Sequence, residues 1–261
     1  MATEPEVRRS GLRGFRLPGM ARRDAEQEQA LAIQTRLLQQ QPPQLEGFDI
    51  ACGWQLSAEI SGDYVDVFAL GPDRMALCIA DVSGKGLEAV TLTGRLQAAV
   101  REFGPSASSP AELCTQVNQM LCGPGSQTRY LTMFYAVLER GVRRMRYESA
   151  GHCLPVLVRG DGSVEFPASF SGIIGIFSHW LYQNQEVELR SGDCLLLITD
   201  GLLQAENRRH EEFGYQKLIA AVEAHRKLGA AGLSREILAA VSKFTGGKFR
   251  DEASLIVVMA K

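Results

Sequence analysis

The sequence predicts an α+β fold in which antiparallel sheets are flanked by pairs of helices. Three observations carry this. Strand-like apolar runs come in blocks, and successive runs such as 67–70 and 75–80 are separated by a tight turn, Gly71-Pro72-Asp73. Helical spacing of apolar residues occurs twice, each time as a consecutive pair, over 87–103 with 110–121 and over 211–227 with 232–245. The order is therefore strands, two helices, strands, two helices, strand. A parallel doubly wound sheet would instead alternate helices and strands.

Taken in order, residues 1–23 lack apolar periodicity and read as a disordered basic tail. Asp24 then caps an amphipathic helix over 24–41, with Ala30, Ile33 and Leu37 on one face, and Pro42-Pro43 stops it. With its linker to residue 44, this helix precedes a domain spanning 45–261. Strand character begins near Phe48, and a glycine-rich turn after Asp81 leads into the first helix pair. Strands follow over 131–138, 145–149 and 154–158, with Arg143, Arg144 and Arg146 suggesting an exposed hairpin. The apolar stretch 169–181 is broken by glycines and suits a flap or irregular strand. Strands over 187–189 and 194–198, the second helix pair, and a closing strand over 255–259 complete the domain.

Composition narrows the function. An apolar content of 45% in 261 residues supports a sizeable core, and a net charge of −2 gives no reason to expect nucleic acid or an anionic membrane as a partner. Residues 1–24 are locally basic at +3, which leaves −5 on the remainder. Solvation of a tail is the plain reading of the basic end; contact with a membrane surface or nucleic acid is the other. Arg8-Arg9 is not followed by an apolar run, and no stretch approaches the ~18 apolar residues of a membrane span, so a cytoplasmic location is expected. The six cysteines show no CxxC and no paired histidine spacing, which argues against a zinc site or a disulfide frame.

The chemistry concentrates in four aspartates, each where an expected strand meets a turn. Asp63 precedes the strand 65–70, Asp81 follows 75–80, Asp200 follows 194–198, and Asp251 precedes 255–259. A lone aspartate at such a position usually caps backbone amides. If these strands are neighbours, however, four carboxylates converge on one rim and form an oxygen-rich pocket suited to Mn2+ or Mg2+. A pair of such ions would lower the pKa of a shared water and neutralise a phosphoryl group during in-line attack.

The local strings resemble one family. Ala58-Glu59-Ile60-Ser61-Gly62-Asp63-Tyr64-Val65-Asp66 is similar to the G-G-D-x-x-D motif of the SpoIIE/RsbU-like serine/threonine phosphatases. Asp81-Val82-Ser83-Gly84-Lys85-Gly86 resembles their D-V-S-G-K-G, and Ser149-Ala150-Gly151-His152 their A-G-H. Thr199-Asp200-Gly201 resembles their T-D-G, Asp251-Glu252-Ala253-Ser254 their final D-D-x-T, and Phe213-Gly214 the F-G opening the late helix pair. Order and spacing hold from about residue 45 onward.

The resemblance implies the PPM (metal-dependent protein phosphatase) fold, an α-β-β-α sandwich of two antiparallel sheets with helix pairs outside. It also implies two Mn2+ or Mg2+ ions. Asp63 and Asp81 would bridge them, the Val82 carbonyl would add a ligand, Asp200 and Asp251 would complete the second ion, and Asp66 would orient these ligands. The implied activity is phosphoserine/phosphothreonine hydrolysis in bacterial partner switching, on a phosphorylated protein such as an anti-sigma-factor antagonist-type domain. A regulatory protein, or homodimerisation through the helix 24–41, would supply control. Departures from the pattern are Ser61 for the first glycine, and Glu252 and Ser254 in the last motif. Ser83 sits where eukaryotic relatives carry a histidine, so no leaving-group acid is evident. His152 reads either as that acid or as a buried hydrogen-bonding residue, and Lys85 as a phosphate contact or a solvated turn residue.

Other readings of these residues fail. Gly84-Lys85-Gly86 lacks Walker spacing, no G-x-S-x-G elbow exists, and a diguanylate-cyclase reading of Ser61-Gly62-Asp63-Tyr64 leaves Asp200 and Asp251 unexplained. The competing class is a phosphatase-fold module that binds phosphoproteins with little or no catalysis. Retention of all four carboxylates favours the enzyme.

Overall fold

The computed structural model describes residues 41–57, 62–123, 129–168 and 171–261. The basic tail, the expected helix 24–41 apart from its last residue, Ala58 to Ser61, and the start of the 169–181 stretch lie outside the described residues. One five-stranded sheet runs in the order β1 (Phe48–Gln55), β10 (Ala253–Ala260), β9 (Cys194–Ile198), β6 (Val156–Val158), β7 (Val164–Glu165). The second runs β2 (Asp63–Ala69), β3 (Arg74–Val82), β4 (Leu131–Glu139), β5 (Arg144–Ala150), β8 (Gln185–Glu188). Every pairing of these strands is antiparallel.

The two sheets pack face to face, with helices outside both. Leu195 and Leu197 of β9, Ile256 and Val258 of β10, Val65 and Val67 of β2, and Leu77 and Ile79 of β3 share the layer between the sheets. Alternate residues of the same strands point the other way. Ala76, Cys78 and Ala80 meet α1 (Gly86–Phe103) and α2 (Pro110–Leu121). Cys194, Leu196 and Ile198 meet α4 (Gly214–His225) and α5 (Gly229–Thr245), and the short α3 (Asp200–Leu203) follows β9. Central strands are thus buried on both faces, which is why 75–80 and 194–198 read as unbroken apolar runs. The α-β-β-α sandwich is the architecture expected.

Details differ from expectation for identifiable reasons. The third helix pair member starts at Gly214 rather than 211, because residues 206–212 close into a tight loop, and residues 226–228 turn as 3-10 helix. The strand expected over 154–158 shortens to Val156–Val158. The expected hairpin is present: β5 follows β4 through an exposed turn at 140–143, also pairs with β8, and its Arg144 and Arg146 pair with Glu186 and Glu139 at 3.1 and 2.7 Å. The glycine-broken stretch makes only isolated bridges, Leu131 with Ile174 and Ala150 with Ser171. Buried Asn118 holds it, accepting from Gly175 N at 2.8 Å and donating to Phe177 O at 2.9 Å. All six cysteines are free, and no described helix is long and apolar enough to cross a membrane.

Candidate active site

Asp63 and Asp81 open and close adjacent strands and are direct register partners across β2 and β3. Strand alternation sends both toward the space between the sheets, the side already occupied by Val65, Val67, Leu77 and Ile79. The turn behind them is drawn tight: Val82 N donates to Gly62 O at 3.2 Å, and a Cβ on residue 62 would collide with the Val82 carbonyl. Glycine before Asp63 therefore lets the two strand ends close together at Val82.

Asp200 and Asp251 come from the other sheet. Asp200 begins α3 directly after β9, and Asp251 lies in the turn entering β10. Gly201 makes this possible, since any Cβ there would overlap the Glu252 carbonyl oxygen. Thr199 joins the sheets. Its Oγ1 donates to Asp63 Oδ2 at 2.9 Å and accepts from Ser254 N at 3.0 Å, while Thr199 N donates to Ser254 O at 3.0 Å. The structure thus places the four aspartates at one end of the sandwich, two from each sheet.

Their electrostatics are those of crowded carboxylates. Burial pushes the Asp63 carboxyl well above its ordinary range, and the charges of Glu252 and Asp81 add to this against the Thr199 and Ser254 hydroxyls. Asp81 is pushed up to about 7, first by burial and then by the fields of Asp200, Asp251 and Glu252. Asp200 is raised by burial and by Asp251. Among the described residues no ion pair engages any of the four. Burial runs from Asp63, 3% exposed, to an exposed Asp251, so the cluster has a closed floor and an open rim.

The remaining candidates separate clearly. Asp66 stands three residues from Asp63, hence on the opposite face of β2, where Arg101 of α1 grips it at 2.8 and 2.9 Å and Tyr64 Oη donates at 2.7 Å. It ties β2 to the helix layer and does not orient the other aspartates. His152 is buried, its Nδ1 is 2.8 Å from Thr132 Oγ1, and burial lowers its pKa to about 4, so it is neutral near pH 7 and a poor proton donor. Ser83 is zipped to Tyr130, donating through its N–H at 2.9 Å and accepting through Oγ at 3.1 Å. Lys85 occupies the N-cap position of α1.

Three site residues carried no separate signal in the sequence reading. Thr199 could have been found by alternation, because Leu195 and Leu197 place residue 199 on the inter-sheet side. Glu252, 2% exposed, is a fifth carboxylate acting on Asp63 and Asp81. The Cys153 thiol is pushed up to about 12 by burial and by the fields of Asp200, Asp81 and Asp63, which places it beside the cluster.

The donor set fits a hard divalent cation: carboxylate and carbonyl oxygens, unneutralised and mutually repelling. Among the described residues, no three acidic, histidine or cysteine side chains are already drawn into a closed ligand group. The carboxylates converge in charge without yet enclosing a point.

Residues 71–261 match the family model described as Stage II sporulation protein E (SpoIIE). The chain is 27% identical over 240 residues to the phosphoserine phosphatase RsbU of Bacillus subtilis (strain 168), covering 91% of this chain and 70% of that protein. The structure of the RsbU and RsbW domains of Rv1364c from Mycobacterium tuberculosis is similar with a TM-score of 0.70 at 27% identity, covering 84% of this chain and 61% of that one. The PP2C phosphatase domain of the Bacillus subtilis cell fate determinant SpoIIE, solved with a regulatory fragment, aligns at a TM-score of 0.72 and 17% identity over 84% of this chain and 64% of that one. At that identity the likeness establishes the fold.

The charge crowding has a measurable consequence. A carboxyl raised from 3.8 to about 7 in the folded state holds its proton longer than in the unfolded chain. Stability without metal should therefore fall as pH rises through that window. Asp81→Asn is expected to raise urea-unfolding stability near neutral pH by on the order of a few kcal/mol, and to flatten its pH dependence. Equal stability of both proteins at about pH 5 and about pH 8 would contradict the crowding.

Proposed function

The chain belongs to the SpoIIE family, and from that premise we propose that it is a metal-dependent phosphoserine/phosphothreonine protein phosphatase acting in bacterial partner switching. The observation that supports this most is the convergence of Asp63 and Asp81 from one sheet with Asp200 and Asp251 from the other, unneutralised by any described cation. In this reading Asp63, Asp81, the Val82 carbonyl, Asp200 and Asp251 hold two Mn2+ or Mg2+ ions. Such ions, when bound, activate water at neutral pH and offset the charge of the phosphoryl group.

The chain's own residues set the stage for that chemistry. Thr199 fixes the Asp63 carboxylate at the floor of the cluster through Oδ2. Gly62 and Gly201 let the turns that carry the aspartates pack closely on Val82 and Glu252. The exposed side of the cluster, at Asp251, admits a phosphorylated side chain from a protein, such as an anti-sigma-factor antagonist-type domain. The neutral, buried His152 is assigned no proton transfer.

Residues 24–44 would form the helix and linker ahead of a catalytic domain over 45–261, with the helix serving a homodimer or a regulatory protein in the cytoplasm. Deleting residues 1–43 is expected to lower the mass in solution measured by light scattering, and an unchanged oligomeric state would count against this role.

Hydrolysis is tested with phosphorylated proteins, with and without Mn2+. Wild type is expected to release phosphate only with the metal, and Asp200→Asn to lose on the order of 100-fold or more in kcat/KM. Metal-independent turnover, or a fully active Asp200→Asn, would overturn the two-metal reading. Tight phosphoprotein binding without turnover would favour a binding module.

A further inference from the structure

The loop 206–212 and the C-terminal end of α5 enclose an open cavity of about 390 Å3. Arg208 and Arg209 line one side, Lys243 and Phe244 the other. The loop is built to display its arginines. Asn207 Oδ1 accepts from Arg209 N at 2.8 Å and from Glu211 N at 3.1 Å, and His210 N donates to Asn207 O at 3.1 Å. This winding leaves His210 at φ 60, the one non-glycine residue with positive φ among the described residues. A backbone conformation of that kind is retained where its surroundings enforce it, and it clusters at functional loops.

The loop is also anchored to the site. Glu206 accepts from Arg250 at 2.8 Å and lies 2.9 Å from His210 Nδ1, and Arg250 directly precedes Asp251. The loop that lines the cavity is thus tied by an ion pair to the turn that carries Asp251.

The cavity lining carries more positive than negative side chains. Arg129, Arg140, Arg144, Arg146, Arg159 and Arg190 each pair with a carboxylate. Among the described residues no ion pair engages Arg208, Arg209 or Lys243. Glu211 also lines the cavity, but its carboxylate already accepts from Asn207 Nδ2 at 2.7 Å. Lys217 adds a further cation, its Nζ 4.9 Å from the Phe244 ring centre. Three cations against the single Glu211 carboxylate leave this concave surface net positive, a ready partner for carboxylates.

We propose that this cavity is the docking pocket for an acidic segment of the protein substrate, flanking its phosphorylated residue. The inference rests on the phosphatase reading above. The catalytic cluster is itself acidic and repels an acidic substrate; the cationic pocket beside it offsets that repulsion and fixes the direction in which the substrate crosses the rim. The cations stand on two walls contributed by different elements, a spacing that suits several carboxylates along a chain better than one small anion.

The test uses two phosphopeptides of equal length, one with Asp and Glu flanking the phosphoserine and one with Asn and Gln, alongside p-nitrophenyl phosphate. Wild type is expected to favour the acidic peptide by about tenfold in kcat/KM, a preference that shrinks at high salt. Arg208→Glu/Arg209→Glu, and separately Lys243→Glu on the other wall, are expected to abolish the preference while leaving p-nitrophenyl phosphate turnover within about twofold, since a small substrate does not reach the pocket. Equal turnover of both peptides by wild type, or a preference that survives in the variants, would overturn the pocket. Absence of any turnover by wild type strikes the phosphatase reading instead. In that case fluorescence anisotropy of the same labelled peptides decides the pocket: charge-dependent binding lost in the variants supports it, and indifferent binding overturns it.

Discussion

The hydroxyl of Thr199 holds one position on which the site depends, because it is where the two sheets touch through polar groups. It donates to Asp63 of the second sheet and accepts from Ser254 of its own. Around it, antiparallel alternation leaves no freedom. Leu195 and Leu197 must face the inter-sheet core, so Thr199 faces it too, and Asp63 and Asp81 must follow Val65 and Ile79. The carboxylates are crowded because the hydrophobic layer between the sheets ends there. Their raised proton affinities express the same fact: charges gathered where burial disfavours them and where a proton or a counter-ion relieves them.

Tolerating that crowding requires a stable frame, and the arrangement around Asp66 shows how the frame is kept separate from the site. Asp66 is as buried as the floor of the cluster, yet it is fully engaged by Arg101 and Tyr64 on the helix side of β2. One strand thus carries two acidic residues of opposite character, one neutralised and structural, the other left to its neighbours. Glycines 62 and 201 perform the complementary service at the turns, allowing backbone oxygens to approach where a side chain would collide.

Much of this was legible in the sequence. Paired helical periods announced the layered sandwich, and the position of each aspartate at a strand end announced a shared rim. The same period-2 rule would have moved Asp66 off that rim, since residues three apart in a strand face opposite ways; motif likeness argued otherwise and was the weaker guide. What the sequence did not reveal depends on tertiary closeness. The loop 206–212 displaced the start of α4, and only the fold brings Arg208 and Arg209 opposite Lys243. Glu252, a nominal departure in its motif, gained weight through burial beside Asp63 and Asp81.

The central claim is that these carboxylates form one site that a divalent cation completes. The most direct measurement is the thermal unfolding midpoint at neutral pH, followed as Mn2+ is titrated into metal-stripped protein, with no substrate present. A cation that binds the folded state alone stabilises it by mass action. A saturable rise in the midpoint, weakened when Asp63 or Asp81 is replaced by Asn, is the expected result. A midpoint indifferent to Mn2+ and to Mg2+ in the wild-type protein would contradict the account.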